Sequence, residues 1–211
     1  MKVLQFIKSL NNTELGKSGT NESYVLVPQK IKSKVEVLFN GFNPNDNIFN
    51  LVNDTTISSI HVTNGREFRI NGLGTFYRDN NVNAGDEVVF ERREDENGVR
   101  FFINLNIKQN AIVFQKNSKG FEILTKDRLT VFTFNDVHYN NELGIISINF
   151  KNSERKNINS PSNTDFYTLN FNGNDLLNEL KSDEYFMLST SHNRLELKKI
   201  LVWQFYEFKT Q

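Results

Sequence analysis

The chain has 211 residues, enough for one large or two small domains, and its 25 basic and 25 acidic side chains give a formal charge of zero. That balance excludes a surface coated in positive charge, although a local basic face is still compatible with it. The absence of cysteine excludes a disulfide scaffold, a thiolate zinc site and a cysteine nucleophile. No stretch approaches the roughly 18 apolar residues of a membrane span, and MKVLQFIKSLNN is too short an apolar run for a signal peptide, so a soluble cytoplasmic protein without membrane partners is expected.

Nineteen Phe and only three Pro give a strand-rich character, with Asn gathered at turns. In chain order, VLQFIKSL, YVLVP, VEVLF, ISSIHVT, EFRIN, EVVFER and RFFINLNI alternate or run continuously apolar and predict strands. Between them, PQKIKSKVEV predicts one turn or a short helix, and GTFYRDNN a second. From Gly72 to Phe90 the hydrophobic period switches: Phe76 and Tyr77 face a core from a helix, Asn80-Asn81 ends it, Gly85-Asp86 turns, and Val88 and Phe90 re-enter a sheet.

After about residue 108 the pattern loosens, which sets a boundary in the 108–118 region. The expected domains are 1–110 and 111–211. In the second, AIVFQ, FEILT, LTVFTF, GIISINF and FYTLNF predict strands, and residues 151–165 a long polar loop. NGNDLLNELKSD predicts the best helix of the chain, capped by Asn174 or Asp175 and burying Leu176, Leu177 and Leu180. KKILVWQFYEF (198–208) predicts one buried final strand with Trp203 in the core; the functional alternative is an aromatic docking surface. The class expected is therefore mainly β: an open seven-stranded pseudobarrel with a few short helices, followed by a smaller α/β domain.

The loop NNTELGKSGTNES is longer than a tight hairpin needs and rich in donors and acceptors. Long polar loops on a rigid sheet are where recognition tends to reside. Further on, IHVTNGREFRI (60–70) sets His61, Thr63, Asn64, Arg66 and Arg69 on or beside one exposed hairpin. Arg reads guanine bidentately and Asn reads adenine, so these residue types suit a groove-reading element.

Two signatures carry a resemblance. Phe6, Lys8, Leu10, Thr13, Glu14, Gly16, Lys17, Val27, Pro28 and Gln29 form the first. The G-x-x-x-F-x-x-x-N-x-V-x-x-G-D-x-V-x-F run from Gly72 through Phe90 forms the second. In this order and separation they resemble the plant B-three DNA-binding domain and the N-terminal effector domain of EcoRII-type restriction enzymes, over roughly residues 5–107. The resemblance implies an open seven-stranded pseudobarrel that sets two loops into the DNA major groove. One is about residues 8–24, the other 60–70. The implied contacts are Lys8, Asn11, Asn12, Thr13, Lys17, Ser18, Thr20, Asn21, Glu22, His61, Thr63, Asn64, Arg66, Arg69 and Arg78. The helix–turn–strand unit then supports the reading loops.

Residues 1–34 carry Lys2, Lys8, Lys17, Lys30, Lys32 and Lys34 against Glu14 and Glu22, while ERREDENG (91–98) is acid-rich and is expected to lie away from DNA. Glu14 and Glu22 depart from a simple basic mouth: they would repel phosphate or accept from cytosine N4.

The catalytic alternative is weaker. Glu196-Leu-Lys198 with Asp183 upstream resembles the core of PD-(D/E)xK nucleases, in which carboxylates hold magnesium. His61, His138 and His192 lack ligand spacing, and there is no phosphate loop of Walker type. The leading expectation is sequence-specific double-stranded DNA recognition without catalysis or a cofactor in this chain. It would be the target-reading part of a McrB-like, LlaJI-type restriction subunit, partnered by a downstream NTPase motor and a separate nuclease. The rivals are a self-contained magnesium-dependent restriction endonuclease and a barrel that binds protein or small ligands.

Overall fold

The computed structural model of the chain describes residues 1–17, 22–43, 46–125, 131–156, 158, 160 and 162–209. It is mainly β and divides into two compact units, Met1–Ile107 with Trp203–Gln211, and Lys108–Val202. No helix among the described residues is long and apolar enough to cross a membrane.

In the first unit the chain runs β1 (Lys2–Ser9), β2 (Tyr24–Val27), a 3-10 turn Gln29–Ile31, α1 (Lys32–Leu38), β3 (Ile48–Asn50), β4 (Thr55–Ile57), β5 (His61–Asn64), β6 (Phe68–Asn71), α2 (Gly74–Asp79), β7 (Glu87–Asp95) and β8 (Gly98–Asn106). The segment VEVLF, expected as a strand, is instead the second half of α1 followed by its C-cap, Phe39. Ile31, Val35 and Leu38 recur at helical spacing and are buried, while Val37 faces out. The three-residue strands β3 and β4 were too short to leave a sequence pattern.

A six-stranded sheet has the order β17-β1-β7-β8-β3-β4, where β17 (Trp203–Lys209) is the last strand of the chain. β1 pairs with β7 without interruption from Lys2↔Glu94 to Ser9↔Glu87. The cross-strand pair Phe6 and Phe90 stacks at 6.3 Å, and Phe39 meets Phe90 edge-on at 5.7 Å. A second sheet of three strands has the order β2-β6-β5.

The second unit runs β9 (Ala111–Asn117), β10 (Gly120–Ile123), β11 (Thr133–Tyr139), β12 (Glu142–Glu154), β13 (Thr164–Phe171), β14 (Asn174–Asp175), β15 (Glu184–Ser191) and β16 (Arg194–Leu201). Seven of these close a ring, β10-β9-β15-β16-β11-β12-β13, sealed by Phe121↔Tyr167 between β10 and β13. Register shifts in β11 after Phe134 and in β12 after Phe150 supply the bends that closure needs. Phe114, Phe121, Val137, Ile146, Leu169 and Phe186 fill the interior, so the barrel is a packed core and not a channel.

Three expectations for this half are corrected. No α-helix occurs among the described residues of 108–202, so the unit is a β-barrel and not an α/β domain. NGNDLLNELKSD forms β14 and a 3-10 turn, Leu177–Glu179, because Asn172 and Gly173 turn the chain at positive φ and the Asp175 carboxylate accepts from the Leu177 amide at 2.8 Å. Leu176 and Leu180 are still buried, as part of the barrel core. KKILVWQFYEF is two strands: β16 stays in the barrel, whereas β17 pairs with β1 in the first unit and leaves Tyr206 and Phe208 largely exposed.

Candidate nucleic-acid interface

The Gly85-Asp86 turn holds the end of β1. The Leu10 amide donates to the Asp86 carbonyl at 2.9 Å and the Gly85 amide to the Leu10 carbonyl at 2.8 Å. The Asp86 carboxylate accepts from the Asn83 amide at 2.8 Å, and Asp86 is fully buried. The helix–turn–strand unit thus clamps the point at which the 10–23 loop leaves the sheet.

The loop is then shaped by Asn11 and Glu14. The Asn11 side-chain oxygen accepts from the Glu14 amide at 3.0 Å, and a Glu14 carboxylate oxygen accepts from the Asn11 amide at 3.2 Å, a reciprocal capping box. The same carboxylate accepts from Lys8 Nζ at 2.8 Å and from the Leu26 amide at 3.1 Å, tying the loop to β1 and β2. Lys8 and Glu14 are 4% and 2% exposed. Neither reaches solvent, so the expectation that Lys8 grips a phosphate, or that Glu14 repels one or reads a base, is corrected: they are a buried ion pair. Asn11 serves the loop's own shape. Asn12 and Thr13 are half-buried in it, and Lys17 and Glu22 are exposed. Ser18, Thr20 and Asn21 lie outside the described residues.

The three-stranded sheet turns one side outward. Register aligns Tyr24, Asn71 and His61 in one row, and Leu26, Arg69 and Thr63 in the next. Period two places both rows on one face, while Val25, Ile70 and Val62 point the other way. Asn71 donates to Thr63 Oγ1 at 3.1 Å. His61 Nδ1 lies 3.1 Å from the Ser59 carbonyl. The Arg69 guanidinium sits 4.5 Å from the centre of the Tyr24 ring and donates through Nε to Glu67 at 3.0 Å. That bond to Glu67 raises the Arg69 pKa, and burial raises that of the Tyr24 phenol. Arg69 is therefore a pre-oriented fork and not a mobile charge.

The hairpin reverses through Gly65-Arg66-Glu67, with Arg66 exposed at the tip. Asn64 is turned away from the outward face: its amide donates to Glu36 of α1 at 2.8 Å and anchors the hairpin there. The 10–23 loop enters the sheet at Tyr24, opposite Asn71, and the hairpin tip lies beyond the Val27↔Phe68 end. The two loops thus flank the outward face at its two ends.

Of the basic run in residues 1–34, Lys2 pairs with Glu207, Lys8 with Glu14 and Lys32 with Glu36, while Lys34 lies over the Phe205 ring. Lys17, Arg66 and Arg78 make no ion pair with a described residue; Arg78 donates only to Thr75 Oγ1, at 3.1 Å. Residues 91–95 lie in the other sheet, where Arg92, Arg93 and Arg100 are paired with carboxylates. Asn71 was missed in the sequence although it follows Arg69 by two residues, the spacing that puts both on one face.

The alternative catalytic residues do not converge. Glu196 and Lys198 lie 4.0 Å apart on β16. Asp183 pairs its carbonyl with the amide of Val202, six positions beyond Glu196, or about 20 Å along a strand. Among the described residues no three His, Asp or Glu side chains are grouped to hold a metal ion. No known family matches the chain, and no curated protein matches it.

Proposed function

We propose that the unit of residues 1–107 and 203–209, with its six-stranded and three-stranded sheets in place of the seven strands expected, is a pseudobarrel that binds double-stranded DNA and reads its sequence in the major groove. The observation that carries the reading is the outward face of β2-β6-β5. It gathers His61, Thr63, Arg69 and Asn71, all hydrogen-bonding side chains suited to base edges, with Lys17 and Arg66 at its two ends. Three strands span about 10 Å at about 4.8 Å per spacing, which suits a major groove about 12 Å wide. Lys17, Arg66 and Arg78 supply phosphate contacts, and Arg69 and Asn71 the discrimination between bases.

In this reading the chain is the target-reading module of a bacterial restriction system, working in the cytoplasm with an NTP-driven motor and a separate nuclease. It needs no metal or other cofactor for recognition. The test is retention of a duplex by the purified chain against the double variant Lys17→Ala with Arg66→Ala. The double variant is expected to lose most of its affinity while its unfolding midpoint is unchanged. Unchanged retention would move the contact surface elsewhere, and cut ends on adding magnesium would favour a self-contained endonuclease.

A further inference from the structure

The outward face of β2-β6-β5 sorts its hydrogen-bonding groups by polarity, row by row. In the row of Arg69 and Thr63 the free groups are donors. Glu67 accepts from Nε and Nη2 of Arg69, and the Tyr24 ring covers one face of the guanidinium at 4.5 Å. What remains is the end-on fork, one N–H on Nη1 and one on Nη2 pointing in parallel. Thr63 Oγ1 accepts from the Asn71 amide at 3.1 Å and so keeps its own proton to give away. The row of Asn71 and His61 is the opposite. Asn71 Nδ2 also lies 3.5 Å from the His61 carbonyl. A carbonyl only accepts, which fixes the nitrogen end of the amide toward the sheet and leaves Oδ1 without a partner among the described residues. For the same reason the His61 Nδ1 that faces the Ser59 carbonyl carries the ring proton, so Nε2 of the neutral ring is an acceptor.

From this sorting we infer that the face requires a guanine, read by Arg69, and within about two base steps on the contacted strand an adenine or a cytosine, read by Asn71. The inference rests on the proposed DNA reading and names its target class. Guanine shows two acceptors, N7 and O6, and no donor in the major groove, and the end-on fork of Arg69 spans that pair. Adenine and cytosine each show an amino group there, at N6 and N4, while guanine and thymine show none. An oxygen that can only accept therefore separates A and C from G and T, but not A from C. A free Asn amide would do more, because its nitrogen could donate to adenine N7 and select adenine alone; Thr63 and His61 take that nitrogen. Spacing sets the two positions: residues 69 and 71 stand about 7 Å apart along β6, against about 3.4 Å per base along a DNA strand. The charge of Arg69 is already matched by Glu67, so it acts on the choice of base and little on the salt dependence.

The test is competition binding of the full chain with single-base variants of a duplex retained from a randomised pool. Replacing the guanine by 7-deazaguanine, which lacks the N7 acceptor, is expected to weaken wild type about tenfold and to weaken Arg69→Lys, a point charge without the fork, much less. At the second position A and C should compete alike, and G and T about tenfold worse. Asn71→Asp offers acceptor oxygens only and should keep this pattern, although its charge weakens binding throughout. Thr63→Val frees the amide nitrogen and should narrow the pattern to adenine. A wild type that already selects adenine over cytosine, or an enriched motif without a guanine read at N7, would overturn the inference and leave the DNA reading intact. Loss of the A and C preference in Asn71→Asp would overturn it equally. Retention without any enriched motif, or no retention, would overturn the inference together with the reading on which it rests.

Discussion

Lys8 and Glu14 show how one residue's face decides its role. Alternation along β1 places Lys8 on the side of Leu4 and Phe6, so its inward direction was legible in the sequence. Its charge drew attention instead, because a lysine beside a polar loop reads as a phosphate contact. Lys8→Met leaves the Glu14 carboxylate buried without its cation and is expected to cost about 3–5 kcal/mol in urea unfolding. Adding Glu14→Gln removes that charge, keeps an acceptor for the Leu26 amide and should recover at least half of the loss. Gly72 is constrained differently. Its φ is +82°, and a Cβ there would lie 2.0 Å from the Ser59 carbonyl oxygen. That oxygen is backbone and cannot swing aside, so Gly72→Ala should cost about 3 kcal/mol or more in the same assay.

At the scale of elements, strand alternation and turn residues made the β5–β6 hairpin and the α2-to-β7 unit readable, since each depends on neighbours in sequence. The segment after Gly173 was not. Leucines at 176, 177 and 180 suit a helix face, yet two of them are buried equally well by a short turn set on a barrel. Spacing cannot separate these solutions because both bury the same side chains. Within the β2-β6-β5 sheet, position predicts two kinds of variant. Arg66→Ala should weaken all duplexes alike and reduce the slope of log affinity against log salt by about one. Asn71→Ala should leave that slope unchanged and relax the preference at one base pair, by about 1–3 kcal/mol. Competition binding with single-base variants of a retained duplex distinguishes the two.

For the whole molecule, the closed barrel was invisible in the sequence. Closure depends on β10 meeting β13, and no local pattern announces a contact between Phe121 and Tyr167. Nor does the apolar run around Val202 mark the point at which the chain leaves the barrel, since neither Gly nor Pro interrupts it. Yet β17 covers seven residues of β1, from Lys2↔Lys209 to Lys8↔Trp203. Truncation after Val202 would expose that edge, and is expected to lower the melting temperature and promote aggregation. Most direct for the central claim is selection of a randomised duplex pool on the intact chain, with retained molecules sequenced at two salt concentrations. The account predicts a short enriched motif that persists at the higher salt and loses definition at one position in Asn71→Ala. Retention that is uniform in sequence and vanishes with salt, or no retention at all, would contradict it.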